Sequence, residues 1–159
     1  MAITILTVVV PILFYFMLRN LGKIDSIFID DIKQRRIPLF FQVILTGIIL
    51  FMVIRGYEFP ELYSFFLAIL ISASMAFLAS LTNIKISLHM VGVAGVLSFA
   101  LALSIYYNSN LLMLLSLLFF IMGTVASSRL DQGAHDIKEI IMGVIVGCLP
   151  QLAIFFYIL

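Results

Sequence analysis

The sequence contains little charge, a single cysteine and no tryptophan. Only 11% of its 159 residues are Asp, Glu, Lys or Arg, whereas 64% are hydrophobic and the mean hydropathy is +1.26. These values exclude an ordinary soluble globular domain. The one cysteine, Cys148, lies in an apolar run, which excludes an intrachain disulfide and argues against redox chemistry or a cysteine-based metal site. A net charge of +1 provides no broad basic surface for nucleic acid. The composition therefore indicates an integral membrane protein.

Long apolar segments account for nearly the whole chain. A membrane-spanning helix needs about 20 mostly apolar residues, and six segments come close to that length: about 3–18, 38–54, 62–82, 88–107, 111–127 and 140–158. The sequence predicts an all-α integral membrane protein, with six transmembrane helices in one bundle and a single domain over residues 1–159. The first segment lacks a basic start and a small-residue cleavage site, so we expect a retained helix and not a signal peptide. The stretch Arg36-Ile37-Pro38 predicts the start of the second helix, because proline is tolerated in a first turn.

Polar residues are concentrated in the connections after helices 1, 3 and 5. If the helices alternate in direction, these three connections lie on one side of the membrane, and only Arg55 among the nine Lys and Arg residues lies on the other. The positive-inside rule is an alternative explanation for the Lys and Arg residues, but it says nothing about histidine. Both histidines are on the polar side. The three connections carry, in chain order, Lys33, Arg35 and Arg36; Lys85, Ser87 and His89; and Arg129, His135 and Glu139.

The third connection carries the most informative spacing. His135 and Glu139 are four residues apart, so at the start of a helix they share one face and the carboxylate can orient an imidazole nitrogen. This arrangement holds a nucleophile or a base ready for reaction.

Several cations, two imidazoles and a hydroxyl together suit a phosphate group, whose oxygens accept from Arg and Lys. A metal site is an alternative use of the histidines, but His89 and His135 lie far apart in the sequence and the neighbouring cations would repel a metal ion. The other alternative is structural, since isolated Lys and Arg near helix ends often cap helices or snorkel to the interface.

These residues resemble the type 2 phosphatidic acid phosphatase superfamily, whose membrane members have a six-helix core and three signature motifs. In the third motif of the family, Ser-Arg is followed after five residues by His and after three more by Asp. Here Ser128, Arg129 and His135 have that spacing, and Glu139 stands at the aspartate position. The second motif, Pro-Ser-Gly-His in the family, corresponds to Ile86-Ser87-Leu88-His89. The first motif, in which Lys precedes Arg-Pro by seven residues, is the weakest match: the chain has Lys33-Gln34-Arg35-Arg36-Ile37-Pro38, with the proline displaced by one residue and no lysine at the family spacing.

The resemblance implies a metal-independent lipid phosphate phosphatase that needs no cofactor. It implies that His135 is the nucleophile that forms a phosphohistidine, that Glu139 orients it, and that His89 protonates the leaving oxygen and then activates water. The phosphate oxygens would be bound by Arg129, Lys85, Ser87, Lys33 and either Arg35 or Arg36. The substrate would be a lipid phosphate, either like phosphatidic acid or a polyprenyl phosphate or diphosphate, with its chain between the helices. The expected location is a bacterial cytoplasmic membrane, as a multi-pass protein in contact with membrane lipids.

Other interpretations of the same sequence stay open. One is a catalytically inactive relative that binds a lipid headgroup or acts as a membrane scaffold or effector. A transporter or channel fits less well, because the charges gather at one membrane face and not at mid-bilayer. Asp30 and Asp31 beside Lys33 are interpreted as a salt-bridged turn. The pairs Gly143/Gly147 and Gly92/Gly95 predict close packing between helices of the same chain in preference to dimerisation.

Overall fold

A computed structural model describes residues 2–23, 31–56 and 58–159. Over these residues the protein is all-helical, and six helices are long and apolar enough to cross a membrane. They are α1 (Ala2–Asn20), α2 (Ile32–Val53), α3 (Pro60–Leu81), α4 (Leu88–Tyr106), α5 (Leu112–Asp131) and α6 (Ile137–Ile158). The protein is therefore a multi-pass membrane protein with an all-α fold, as its composition predicts.

Helix α6 makes the most extensive contacts of the bundle, with α4 and with α3. Helix α2 packs on α3, α5 packs on the outer side of α4, and α1 lies along α2 at the edge. Helices α1 and α5 bury almost none of their side chains within the chain. Since both are apolar enough to span a membrane, their exposed faces suit contact with lipid.

Glycines on α6 allow α4 to approach closely. A Cβ atom added at Gly143 would lie 2.7 Å from the carbonyl oxygen of Ser87, and one at Gly147 would lie 2.4 Å from that of Val91. Gly95 faces Gly147 across the same contact, so the predicted packing within the chain is confirmed for these three glycines. Gly92 differs, because nothing lies within 4 Å of its added Cβ.

The second helix begins earlier than the sequence analysis predicts. Asp31 is its N-cap, with a side-chain oxygen that accepts from the backbone N–H of Lys33 at 2.9 Å, and the helix starts at Ile32. Pro38 therefore lies inside α2, and the prediction that it marks the helix start is wrong. An aspartate cap stabilises the first turn enough to place the start one and a half turns before the proline. Asp30 lies outside the described residues.

Candidate active site

Hydrogen bonds join the connections after α3 and α5 to each other and to α2 at one end of the bundle. Nζ of Lys85 donates to the carbonyl oxygen of Ala134 at 2.7 Å, which links the connection after α3 to the connection after α5. The N–H of Ser87 donates to the carbonyl oxygen of Glu139 at 3.2 Å. Nη1 of Arg35 donates to the carbonyl oxygen of Ile86 at 3.4 Å, which adds α2 to the group. Residues that are far apart in the sequence therefore meet at one end of the helices.

Helices α1, α3 and α5 end in the same kind of backbone reversal. After α1, α3 and α5 a residue with positive φ is followed by hydrogen bonds that close the last helical turn, as in a Schellman motif. The three residues are Gly22, Asn83 and Gly133, with φ of 65°, 60° and 60°. Because the reversal is tight, the residues that follow Asn83 and Gly133 turn back over the end of the bundle.

His135 and Glu139 form a close pair at the start of α6. Nδ1 of His135 lies 2.6 Å from Oε2 of Glu139, and the imidazole is buried. His135 itself precedes the helix, whose N-cap is Asp136, and the carboxylate of Asp136 accepts from the N–H of Glu139 at 2.7 Å. The cap fixes the first turn, so Glu139 points back to His135. The pair uses Nδ1, which leaves Nε2 of His135 for a ligand.

Burial lowers the pKa of His135 below its ordinary value. The hydrogen bond that His135 donates to Glu139 raises the pKa, whereas the positive charges of Arg35 and Lys85 lower it further. The net shift is downward, which favours the neutral imidazole. A neutral imidazole with Nδ1–H donated to a carboxylate carries its lone pair on Nε2.

His89 lies in the first turn of α4, within the electrostatic reach of Arg129, His135 and Arg35. Its side chain is exposed, in contrast to that of His135. This end of the bundle therefore places two imidazoles near three cations, Arg35, Lys85 and Arg129. The neighbouring carboxylates of Glu139 and Asp136 are bonded within the chain, to His135 and to the N–H of Glu139. The cations around the histidines favour an anion.

Two buried polar atoms at this end have no hydrogen-bond partner among the described residues. They are Nε of Arg129 and Oγ of Ser87, and the whole side chain of Ser87 is buried. Ser87 is also the N-cap of α4, yet its hydroxyl makes no capping bond within the described part of the chain, unlike the aspartates that cap α2 and α6. The first N–H groups of α4 are thus left for an acceptor from outside.

Three other residues singled out by the sequence have different surroundings. Arg36 donates from Nε to the carbonyl oxygen of Ser80 at 3.2 Å and from Nη2 to Oδ1 of Asn83 at 3.1 Å, so it caps the end of α3. Lys33 is exposed in the first turn of α2. Oγ of Ser128 accepts from Nε2 of Gln132 at 3.2 Å. Of the two neighbouring arginines, Arg35 is the one directed to the histidines.

Asp136, which the sequence analysis does not single out as a site residue, is the cap that orients Glu139. An aspartate three residues before a glutamate is a capping signal, and Gly133 just after α5 is a helix-stop signal, so both could have been found. Across the described ranges no three His, Cys, Asp or Glu side chains gather as ligands for a metal ion. Comparisons with family models, with curated proteins and with solved structures give no match for this chain.

Proposed function

We propose that the protein is a membrane phosphatase that hydrolyses a lipid-linked phosphate or diphosphate through a phosphohistidine intermediate. The observation that carries the proposal is the His135–Glu139 pair beside two buried atoms, Nε of Arg129 and Oγ of Ser87, that lack partners in the described chain. Buried polar atoms are costly without a partner, and phosphate oxygens can accept from both. The resemblance to the type 2 phosphatidic acid phosphatase superfamily agrees with this interpretation.

The geometry supports a two-step reaction. Glu139 holds Nδ1–H of His135, and the lone pair on Nε2 attacks phosphorus while the bond from phosphorus to the lipid oxygen breaks. His89 gives its proton to that oxygen, which leaves as the lipid alcohol. Water then attacks the phosphohistidine, His89 takes a proton from the water, and the phosphorus–nitrogen bond breaks to release phosphate. Arg35, Lys85 and Arg129 offset the negative charge of the phosphoryl group in both steps.

The substrate class in this proposal is a lipid phosphate, like phosphatidic acid or a polyprenyl phosphate or diphosphate. A site at the ends of membrane helices suits a headgroup whose chain stays in the bilayer. We also propose a bacterial cytoplasmic membrane as the location, which rests on the family resemblance. Labelling of a cysteine introduced at Asn110, at the opposite end of the bundle, would determine which side of the membrane the site faces.

The test is phosphate release from phosphatidic acid and from a polyprenyl diphosphate by the purified protein in detergent with a metal chelator. We expect wild type to release phosphate and to yield an acid-labile phosphohistidine when quenched, and His135→Ala to do neither. Lys138→Ala is the matched control, because this exposed cation lies in the first turn of α6, three residues beyond His135. Equal release by wild type and His135→Ala, or its absence from both, would overturn the proposal.

A second function is favoured by one specific observation. Lys85 and Arg35 both donate to backbone carbonyl oxygens, so the fold itself uses two of the three cations. An inactive relative that binds a lipid headgroup, or that acts as a scaffold, would need these contacts and no turnover. Thermal stabilisation by vanadate together with turnover supports the enzyme, whereas lipid binding without turnover supports the inactive relative.

A further inference from the structure

A cavity of about 310 Å³ lies between α2, α3, α4 and α6. Its wall is mostly apolar, and the absence of a side chain at Gly92 keeps it open on the α4 side. The volume is at the lower end of the range for small-ligand pockets in proteins. It is therefore large enough for part of a lipid and too small for a whole one.

The cavity lies directly beneath the candidate active site. On α2, Leu39 and Gln42 line it and follow Arg35 by four and seven residues, which places all three on one helix face. On α4, Gly92 lines it three residues after His89. A phosphate bound by these two faces would have its lipid chain directed into the cavity.

Two amide side chains meet the cavity at similar depth. Gln42 lies roughly 10 Å below Arg35 along α2, at 1.5 Å per residue. Gln151 of α6 lies against Gly95, roughly 9 Å below His89 along α4 by the same rise. The two estimates agree, so both amides lie about a third of the way into a hydrocarbon layer of roughly 30 Å, on the wall of a mostly apolar cavity.

Gln151 has one amide atom without a partner. Nε2 donates to the carbonyl oxygen of Phe65 at 3.2 Å, and since that oxygen can only accept, the contact fixes which way the amide points. Oε1 is then a buried acceptor with no partner in the described chain, on a residue that is only 2% exposed. A buried acceptor in an apolar medium needs a donor.

We propose that the cavity binds the upper part of a lipid chain that carries a hydroxyl group near its phosphate, and that this hydroxyl donates to Oε1 of Gln151. The inference rests on the proposed function, and it specifies the substrate class. A polyprenyl chain has no polar atom below its phosphates, so it would bury Oε1 of Gln151 unpaired. The hydroxyl has two chemical sources, a free glycerol hydroxyl and a β-hydroxyl on the acyl chain. The depth of Gln151, roughly 9 Å below His89 along α4, favours the second source.

The test compares kcat/KM of wild type for acyl glycerol phosphates of equal chain length. The first lipid carries a hydroxyl on the β-carbon of its acyl chain. The second has a plain acyl chain and a free glycerol hydroxyl, and the third has a plain acyl chain and neither hydroxyl. The fourth substrate is a polyprenyl phosphate. We expect at least one hydroxylated lipid to exceed the lipid without a hydroxyl by about fivefold or more, and the polyprenyl phosphate to be the poorest. Equal kcat/KM for all four would overturn this inference while leaving the phosphatase proposal intact, whereas no turnover of any would reject the phosphatase proposal first.

Two variants test the position of the hydroxyl. Gln151→Met keeps the length of the side chain without its acceptor, so it should remove the preference for the hydroxylated lipid and retain turnover of the plain one. Ser74→Ala is the control, because Ser74 bonds to its own helix at Leu70 and does not line the cavity. Gly92→Leu should fill the cavity and raise KM for every lipid, whereas Gly123→Leu, on the outer helix α5, should not. A preference that survives Gln151→Met, or unchanged KM in Gly92→Leu, would contradict the inference.

Discussion

The contact between α4 and α6 is sensitive to a single added methyl group. In Gly147→Ala the new Cβ would lie 2.4 Å from the carbonyl oxygen of Val91 and 3.1 Å from Cβ of Ala94, so the two helices must move apart. Overpacking of this kind costs about 1–3 kcal/mol. Replacing glycine with alanine within a helix stabilises the helix by about 0.5–1 kcal/mol, which offsets part of this cost. We therefore expect the free energy of unfolding to fall by up to about 2.5 kcal/mol relative to wild type, and by about 1–3 kcal/mol relative to a glycine-to-alanine change that makes no new contact.

Gly123→Ala is the matched control for this change. Gly123 is also inside a membrane helix, but nothing lies within 4 Å of its added Cβ, so only the gain in helix propensity should appear. The assay is reversible unfolding by sodium dodecyl sulfate in mixed micelles, followed by far-ultraviolet circular dichroism. Phosphate release should fall in Gly147→Ala as well, because α4 carries His89 and α6 carries Glu139. If the two variants are equally stable, the close approach of α4 and α6 is wrong.

Other predictions concern the site. Glu139→Gln should lower kcat by about 10²-fold or more, since the amide no longer holds the imidazole in the reactive tautomer; a kcat unchanged from wild type would exclude that role. The pH profile gives a second test: Glu139 raises the pKa of His135, so Glu139→Gln should move the acid limb of kcat/KM to lower pH with the same substrate, and a shift to higher pH would be inconsistent with the pair. Substitution of the two neighbouring arginines should have different effects. Arg36→Ala should lower stability by about 1 kcal/mol, from the lost bonds to the end of α3, and retain stabilisation by vanadate, whereas Arg35→Ala should lose that stabilisation; the reverse result would exchange their roles.

Part of the site could be predicted from spacing alone. His135 and Glu139 are close in the chain, and a separation of four residues brings side chains together wherever a helix begins near them. The charges of Arg129 and Arg35 act on His89 from two other helices. Their proximity depends on how three helices pack, and no local sequence pattern specifies it. Pro38 shows that a local rule can also fail, because the helix starts at the Asp31 cap and not near the proline.

The sequence by itself determined the class of protein, the number of helices and the end of the bundle that carries the polar chemistry. Hydropathy and the alternating direction of successive membrane helices are sufficient for these three properties. Each property depends only on the composition and length of local segments. Only the tertiary structure separated Arg35 from Arg36, because neighbouring residues on a helix point about 100° apart and the packing of α2 on α3 decides which faces the site. It also brought Gln42 and Gln151 to one cavity beneath the histidines. Such a cavity depends on the registers of four helices at once, and no single segment specifies that.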